Sequence, residues 1–289
     1  MEEIANNIYI ERGYSGIVSS VLKLNHGLVL IDAPLRSEHH QAWQQKLISL
    51  RGGIARLMIM LDAHTDRLLG ASTIDVPILA HENALEIIND LPSSARLGEK
   101  TSGSDSESVE LPQNNRWVLP DMVYSHAINI YWDEQPVVVT HQPGGHLAGS
   151  WVRYPAEKVI FVGDSVVTSQ PPFLAWCDLD RWIDELTWLS SDLFKDYQII
   201  SSRDGLVTQS EVLEMIDFLT MLKSDVEELS QLENWSDEID QWISRVLENF
   251  ESDPALSEQY TNRLAWGINK LLERISADHT KTKGEINAS

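Results

Sequence analysis

The sequence predicts a layered α+β (or α/β) domain followed by a helical C-terminal region. Short β-type runs alternate with helical segments through the body of the chain, in two similar halves that mix hairpin-spaced strands with βα units. The last third instead holds apolar residues at a 3.6-residue spacing. With 289 residues, 43% of them apolar, the chain has ample material for a core, which excludes a mostly disordered protein.

In order, residues 8–11, 17–24 and 28–32 are β-type runs, with Asn25-His26-Gly27 as the hairpin turn between the last two. Residues 37–50 read as a helix stopped by Gly52-Gly53. Two apolar strands follow at 56–61 and 76–80, then a helix at 82–89. A second series runs through strands at 122–124, 127–132, 136–141, 150–154 and 158–162. A helix over 179–193 carries Ile183, Leu186, Leu189 and Leu193 on one face, before a last strand at 197–201. Residues 92–114 are rich in Ser, Gly and Glu and read as a long loop, either a solvated insertion or a flap over a site.

Three stripes follow. Val212, Met215, Ile216, Leu219, Leu222, Val226 and Leu229 make the first; Ile239, Trp242, Ile243, Val246, Leu247 and Phe250 the second; Leu264, Ile268, Leu271, Leu272 and Ile275 the third. Ser236 is the expected N-cap of the second, with Asp237 and Glu238 in its first turn. The expected division is a body at 1–208, an acidic helical extension packed on it at 209–276 and a flexible tail at 277–289. The extension is also the candidate surface for a homodimer.

The chain carries 22 basic and 44 acidic side chains, a net charge of −22. Between Gly205 and Tyr260 there are 14 acids against Lys223 and Arg245 alone, so much of that charge is the solvated face of the last helices. Clustered Lys and Arg are what nucleic acid and anionic membranes recognise, and both partners are excluded on this ground. Cys177 is the single cysteine, which excludes an internal disulfide and a Cys-based zinc site. The start MEEIANNIYI lacks a signal-peptide pattern, and no apolar run approaches the ~20 residues of a membrane helix. The expectation is a soluble, cytoplasmic protein.

Four strand ends lead into loops with ligand-type side chains: Asp62-Ala63-His64-Thr65-Asp66-Arg67, Gly144-Gly145-His146-Leu147-Ala148-Gly149-Ser150, Gly163-Asp164-Ser165 and Arg203-Asp204-Gly205. Strand ends of layered folds converge on one site. In this order and approximate spacing the chain resembles the metallo-β-lactamase fold superfamily over residues 5–210. That family carries HxHxDH, PGHTPGS-like, GD and GHG-like segments. Leu30-Ile31-Asp32-Ala33 is similar to its IDxG strand end.

The resemblance implies a four-layer αββα metallo-β-lactamase-like sandwich with an added C-terminal helical region. It also implies hydrolysis of an ester, thioester, lactone or amide-like bond in a small-molecule substrate. Carried over by position, Asp62, His64 and His146 form one metal site, Asp66, Arg67 and Asp204 the other, and Asp164 bridges them. Arg67 has no lone pair for a metal and stays charged. The expected centre is therefore mononuclear: His64, His146 and Asp164, with Asp62 as fourth ligand, around Zn, or Mn or Fe(II). A second metal is not expected. Such a metal polarises a carbonyl and acidifies water. The resemblance gives Asp66 the task of orienting or deprotonating that water, with Arg67 holding Asp66 or a substrate anion. Asp204 is either a ligand or a salt-bridge partner of Arg67.

The alternative is a catalytically degenerate member that binds a ligand or partner. Its pocket is a salt-bridge network, with Arg67 and Arg203 neutralising the acids. Beyond the motifs, His81 and His141 are expected in packing or loop roles, His39-His40 exposed, His126 at a turn and Cys177 buried. Trp182, Trp235, Trp242 and Trp266 are expected in the core.

Overall fold

The computed structural model describes residues 1–91, 102–108, 117–232, 234–250 and 254–286. Of the long loop expected at 92–114, only 102–108 lie within the described residues.

The aliphatic runs pair first with their neighbours in sequence. β1 (Glu2–Ala5), β2 (Ile8–Glu11), β3 (Ser19–Lys23) and β4 (Gly27–Ile31) form an antiparallel meander. The chain then crosses through α1 (Ser37–Ser49) to β5 (Ala55–Ile59) and through α2 (Thr65–Ala71) to β6 (Ile78–His81). After α3 (Asn83–Asp90) it reaches β7 (Met122–Tyr124). Strands β4 to β7 are parallel, as crossover connections require, and the seven strands lie in sequence order.

The second sheet has six strands. β8 (Ala127–Ile130), β9 (Val137–His141), β10 (Ser150–Tyr154) and β11 (Val159–Gly163) run antiparallel. Helix α4 (Leu179–Leu189) leads to β12 (Gln198–Ser201), parallel to β11, and β13 (Gly205–Val207) returns antiparallel. The sequence pattern misses β1 and β13 because EEIA is polar and GLV is three residues long; both lie at sheet edges.

Ile10, Leu22 and Val29 of the first sheet meet Val139, Val152 and Phe161 of the second in a shared core. Trp43, Leu47, Leu68 and Ile87 cover the outer face of the first sheet from α1, α2 and α3. Strands covered on both faces read as continuous apolar runs, which is how β4, β5 and β11 read. The result is the expected four-layer αββα sandwich.

The extension folds as α5 (Gln209–Ser230), α6 (Ser236–Leu247) and α7 (Ser257–Ile286). Thr208 and Glu211 close a capping box at the start of α5. Ser236 is the first helical residue rather than the cap: Trp235 holds the cap position without a side-chain bond. Helix α7 continues to Ile286, through residues expected as tail. All three stripes enter one apolar cluster with Trp151, Val162 and Leu186 of the body. No helix among the described residues is long and apolar enough to cross a membrane.

His40 departs from the expected exposure. It lies on the inner face of α1 with Trp43 and Leu47, where its Nε2 meets Pro34 O at 2.7 Å and Thr73 Oγ1 at 2.8 Å. Cys177 is buried, and desolvation pushes its thiol up to about 12.

Candidate active site

The site sits where β4, β5, β11 and β12 end and the loop between β9 and β10 turns. That loop is fixed through its backbone. Gln142 N donates to Gly149 O at 2.8 Å, Asp178 N to Gly144 O at 2.8 Å and Leu147 N to Trp176 O at 2.9 Å. Gly149 is required here because a Cβ would strike the Gln142 carbonyl. The turn buries His146, whose Nδ1 accepts from Ala148 N–H at 3.0 Å. Its Nε2 is buried and has no hydrogen-bond partner among the described residues. Burial and the facing His64 push the His146 imidazole down to about 3, so the ring is neutral.

His64 stands at the N-terminus of α2, with its ring 4.5 Å from that of His146 and 4.7 Å from that of Phe173. Its Nδ1 lies 3.0 Å from Asp62 Oδ1 and 3.5 Å from Asp164 Oδ2. The His64 backbone N–H also donates to Asp62 Oδ1, at 2.9 Å. Among the described residues, Asp62, His64 and His146 form a group that can hold a metal ion, with ligand atoms within 4.8 Å of one another. A cavity of about 10 Å³ touches Asp62, His146 and Asp164, room for a single water-sized species.

The other side of the site is built from arginine. Arg67, 1% exposed, donates through Nε to Asp32 Oδ2 at 2.9 Å and through Nη2 to Asp164 Oδ1 at 2.9 Å. Its Nη1 lies 3.0 Å from Asp62 Oδ2, 3.2 Å from Asp164 Oδ2 and 3.5 Å from His64 Nδ1. Arg203 grips Asp164 through Nε (3.1 Å) and Nη2 (3.0 Å). Its Nη1 reaches Asp66 Oδ2 at 2.9 Å, Asp105 Oδ2 at 3.0 Å and Gly16 O at 2.9 Å. Asp164 thus accepts two guanidinium forks. Burial opposes its charge, yet Arg203 and Arg67 hold its carboxyl well below the ordinary value. Asp66 is likewise kept ionised against burial by Arg203, the Ser104 hydroxyl and the Ser106 amide, which donates to Oδ1 at 2.8 Å. At Asp32, burial outweighs Arg67 and the carboxyl is pushed up. Asp105 is also pushed up, by burial and by the nearby Asp66.

The structure brings together Asp62, His64, Asp66, Arg67, His146 and Asp164. It does not bring in Asp204, whose carboxylate accepts from Thr168 N at 2.8 Å and from Ser169. The neighbouring Arg203 enters the site instead, and the carboxylate partners of Arg67 among the described residues are Asp32, Asp62 and Asp164. Asp66 faces Arg203 and two serines rather than the imidazoles. Asp32 is a network member that only its ID strand end signalled; its backbone has φ +52°. Ser104, Asp105 and Ser106 lie in the segment read as a solvated insertion or a flap, with nothing to single them out within it, and Phe173 carried no motif. His81 and His141 stack at 3.4 Å away from this group, each bonded to a backbone carbonyl, Ser125 O and Leu147 O.

The donor set fits one metal ion and not two. Asp62, His64 and His146 offer a carboxylate and two imidazoles. On the other side two guanidiniums hold the carboxylates that a second ion would need.

No family model matches the chain, and no curated sequence does. Solved structures do. The stereoselective inverting sec-alkylsulfatase Pisa1 from Pseudomonas sp. superposes with a TM-score of 0.66 at 16% identity, over 94% of this chain and 49% of that one. A metallo-β-lactamase from Pontibacter korlensis gives 0.57 at 18% identity, over 76% and 97%. The DIM-1 metallo-β-lactamase gives 0.57 at 12%, over 76% and 96%. The chain spans about half the length of the alkylsulfatase it matches. Sandwich, strand order and these likenesses agree: the chain has the metallo-β-lactamase fold.

Proposed function

We propose that the chain is a metallo-hydrolase acting on a small molecule, with one divalent metal, zinc first and Mn or Fe(II) as alternatives, held by Asp62, His64 and His146. The observation that carries this reading is the buried Nε2 of His146, without a partner among the described residues, beside a second imidazole and a carboxylate. A ligating Nε2 places the ring proton on Nδ1 and breaks the bond from Ala148 N–H. Leaving that amide unsatisfied costs about 1–3 kcal/mol. Structural zinc sites contribute about 10–16 kcal/mol, so the cost does not forbid binding. Arg67 competes for Asp62, and the affinity is expected to fall below that of an all-imidazole set.

A bound ion supplies Lewis acidity and a more acidic water. The chain's own residues do the positioning. Arg67 holds Asp62 through Oδ2 and leaves Oδ1 facing His64. Arg203 and Arg67 together keep Asp164 ionised and fixed. Asp66 is too heavily hydrogen-bonded to serve as a base and acts through Arg203. His64, 10% exposed at its side chain, is the edge from which a substrate approaches. The substrate class is an ester, thioester, lactone or amide-like bond; the likeness to an alkylsulfatase adds sulfate esters.

The test is turnover of chromogenic aryl esters and aryl sulfates by wild-type protein and the His146→Ala variant. A rate that needs added metal and is lost in the variant is expected. A rate indifferent to chelation and to His146 overturns the reading.

The paired state of Asp66 and Asp164 favours a second reading, a non-catalytic ligand-binding or partner-binding protein whose network is structural. Metal-free protein that gains no thermal stability from Zn, Mn or Fe(II) decides for it.

A further inference from the structure

Helix α7 lies far along the sequence from the site, yet it touches the site's roof. Arg263 is 1% exposed. Its Nε donates to Gly103 O at 3.1 Å, and its Nη1 to Gln170 Oε1 at 2.6 Å and Pro171 O at 3.0 Å. One turn earlier, Gln259 Nε2 donates to Asp105 Oδ1 at 2.9 Å and to Gly103 O at 3.3 Å. Gly103, with φ +63°, packs on the α7 backbone so closely that a Cβ would strike the Gln259 carbonyl and the Arg263 amide.

The same short turn supplies the site. Ser104 Oγ and Ser106 N bond Asp66, Asp105 bonds Arg203, and Thr65 Oγ1 meets Ser106 Oγ at 2.7 Å. A second path runs through an aromatic ring. The Arg263 guanidinium lies 4.0 Å from the centroid of Phe173, and that ring lies 4.7 Å from His64.

We propose that Gln259 and Arg263 are positioning residues of the site. Through the Gly103–Ser106 turn both set Asp66 and Arg203, and through Phe173 Arg263 sets the His64 ring. The C-terminal helical region is then part of the site's construction, not a separable appendage. This rests on the site's geometry and not on the metal.

Two readouts on the full chain test it. Hydrogen exchange across residues 102–108 is compared between wild type and the Arg263→Met variant, in which Asp105 keeps Arg203 as its partner. Lys270→Met, on the exposed side of the same helix, is the control. Exchange of the 102–108 amides is expected to rise at least about tenfold in Arg263→Met, with peptides of α5 unchanged, because the turn loses its anchors without global unfolding. Histidine ring NMR gives the second readout: the His64 signals are expected to shift while those of His81 and His141 stay. If Arg263→Met does not fold, Gln259→Met is measured in the same way, with a smaller rise expected. Unchanged 102–108 exchange and unmoved His64 signals in a folded variant overturn the proposal. So does a uniform rise across the whole chain. Neither readout needs a metal, so failure here is distinct from failure of the hydrolase reading.

Discussion

The two corners of the site solve one electrostatic problem differently. In the corner of Asp62, His64 and His146, two imidazoles and one carboxylate come together, and the buried Nε2 of His146 has no hydrogen-bond partner among the described residues. In the corner of Asp66 and Asp164, two guanidiniums supply the positive charge and all four carboxylate oxygens are engaged. A guanidinium brings its own donors and permanent charge, whereas imidazoles bring lone pairs that need a cation from outside. One fold thus carries a corner whose charges are paired internally beside one whose donor set could hold a metal ion.

The largest expected effect comes from removing the built-in cation. Arg67→Met leaves Asp32, Asp62 and Asp164 without their shared partner, and urea unfolding is expected to show a loss of about 3–5 kcal/mol. Next comes conversion of the second corner into a copy of the first. The double variant Arg67→His, Arg203→His places imidazoles beside Asp66 and Asp164. Its metal content is expected to rise to about two equivalents. An unchanged content would mean that the arginines do not stand in for a cation.

A finer probe is Ala148→Pro, which deletes the N–H that donates to His146 Nδ1 and lets that nitrogen carry the ring proton. Zinc affinity by competition with a chromophoric chelator is expected to rise about tenfold, the worth of one such bond. A pH-dependent effect lies beneath the histidine loop. Glu185 accepts from Gly144 N–H (3.1 Å), and burial pushes its carboxyl up to about 8 from 4.5. The folded state therefore keeps a proton that the unfolded chain loses, and stability falls as pH rises from the ordinary value through about 8. Glu185→Gln is expected to flatten that slope in urea midpoints measured across the same window; an identical slope would remove Glu185 as its source.

Much of the fold was legible because its strands are buried on both faces and its turns sit on the expected residues. Strands β2, β7 and β10 have the predicted bounds. The two missed strands are edge strands with little apolar content. The first corner was legible too, since His64, His146 and Asp62 lie in contiguous motifs. Arg203 was legible as a partner of the acids, and Asp204 shows the limit. Position in the motif favoured Asp204, but the bend before Gly205 turns Asp204 toward Ser169 and aims Arg203 inward, and a one-residue choice of this kind depends on backbone direction. Ser104, Phe173 and Arg263 could not be read at all, because their roles arise only when α7 packs against the body.

The central claim is that one corner takes a metal and the other carries its own charge. Elemental analysis of protein purified without chelator or affinity-tag metal tests it most directly, with His64→Ala and His146→Ala measured alongside. The account predicts about one equivalent of divalent metal, lost in both variants. Metal-free protein that takes up none on addition, or wild type with two equivalents, would contradict it.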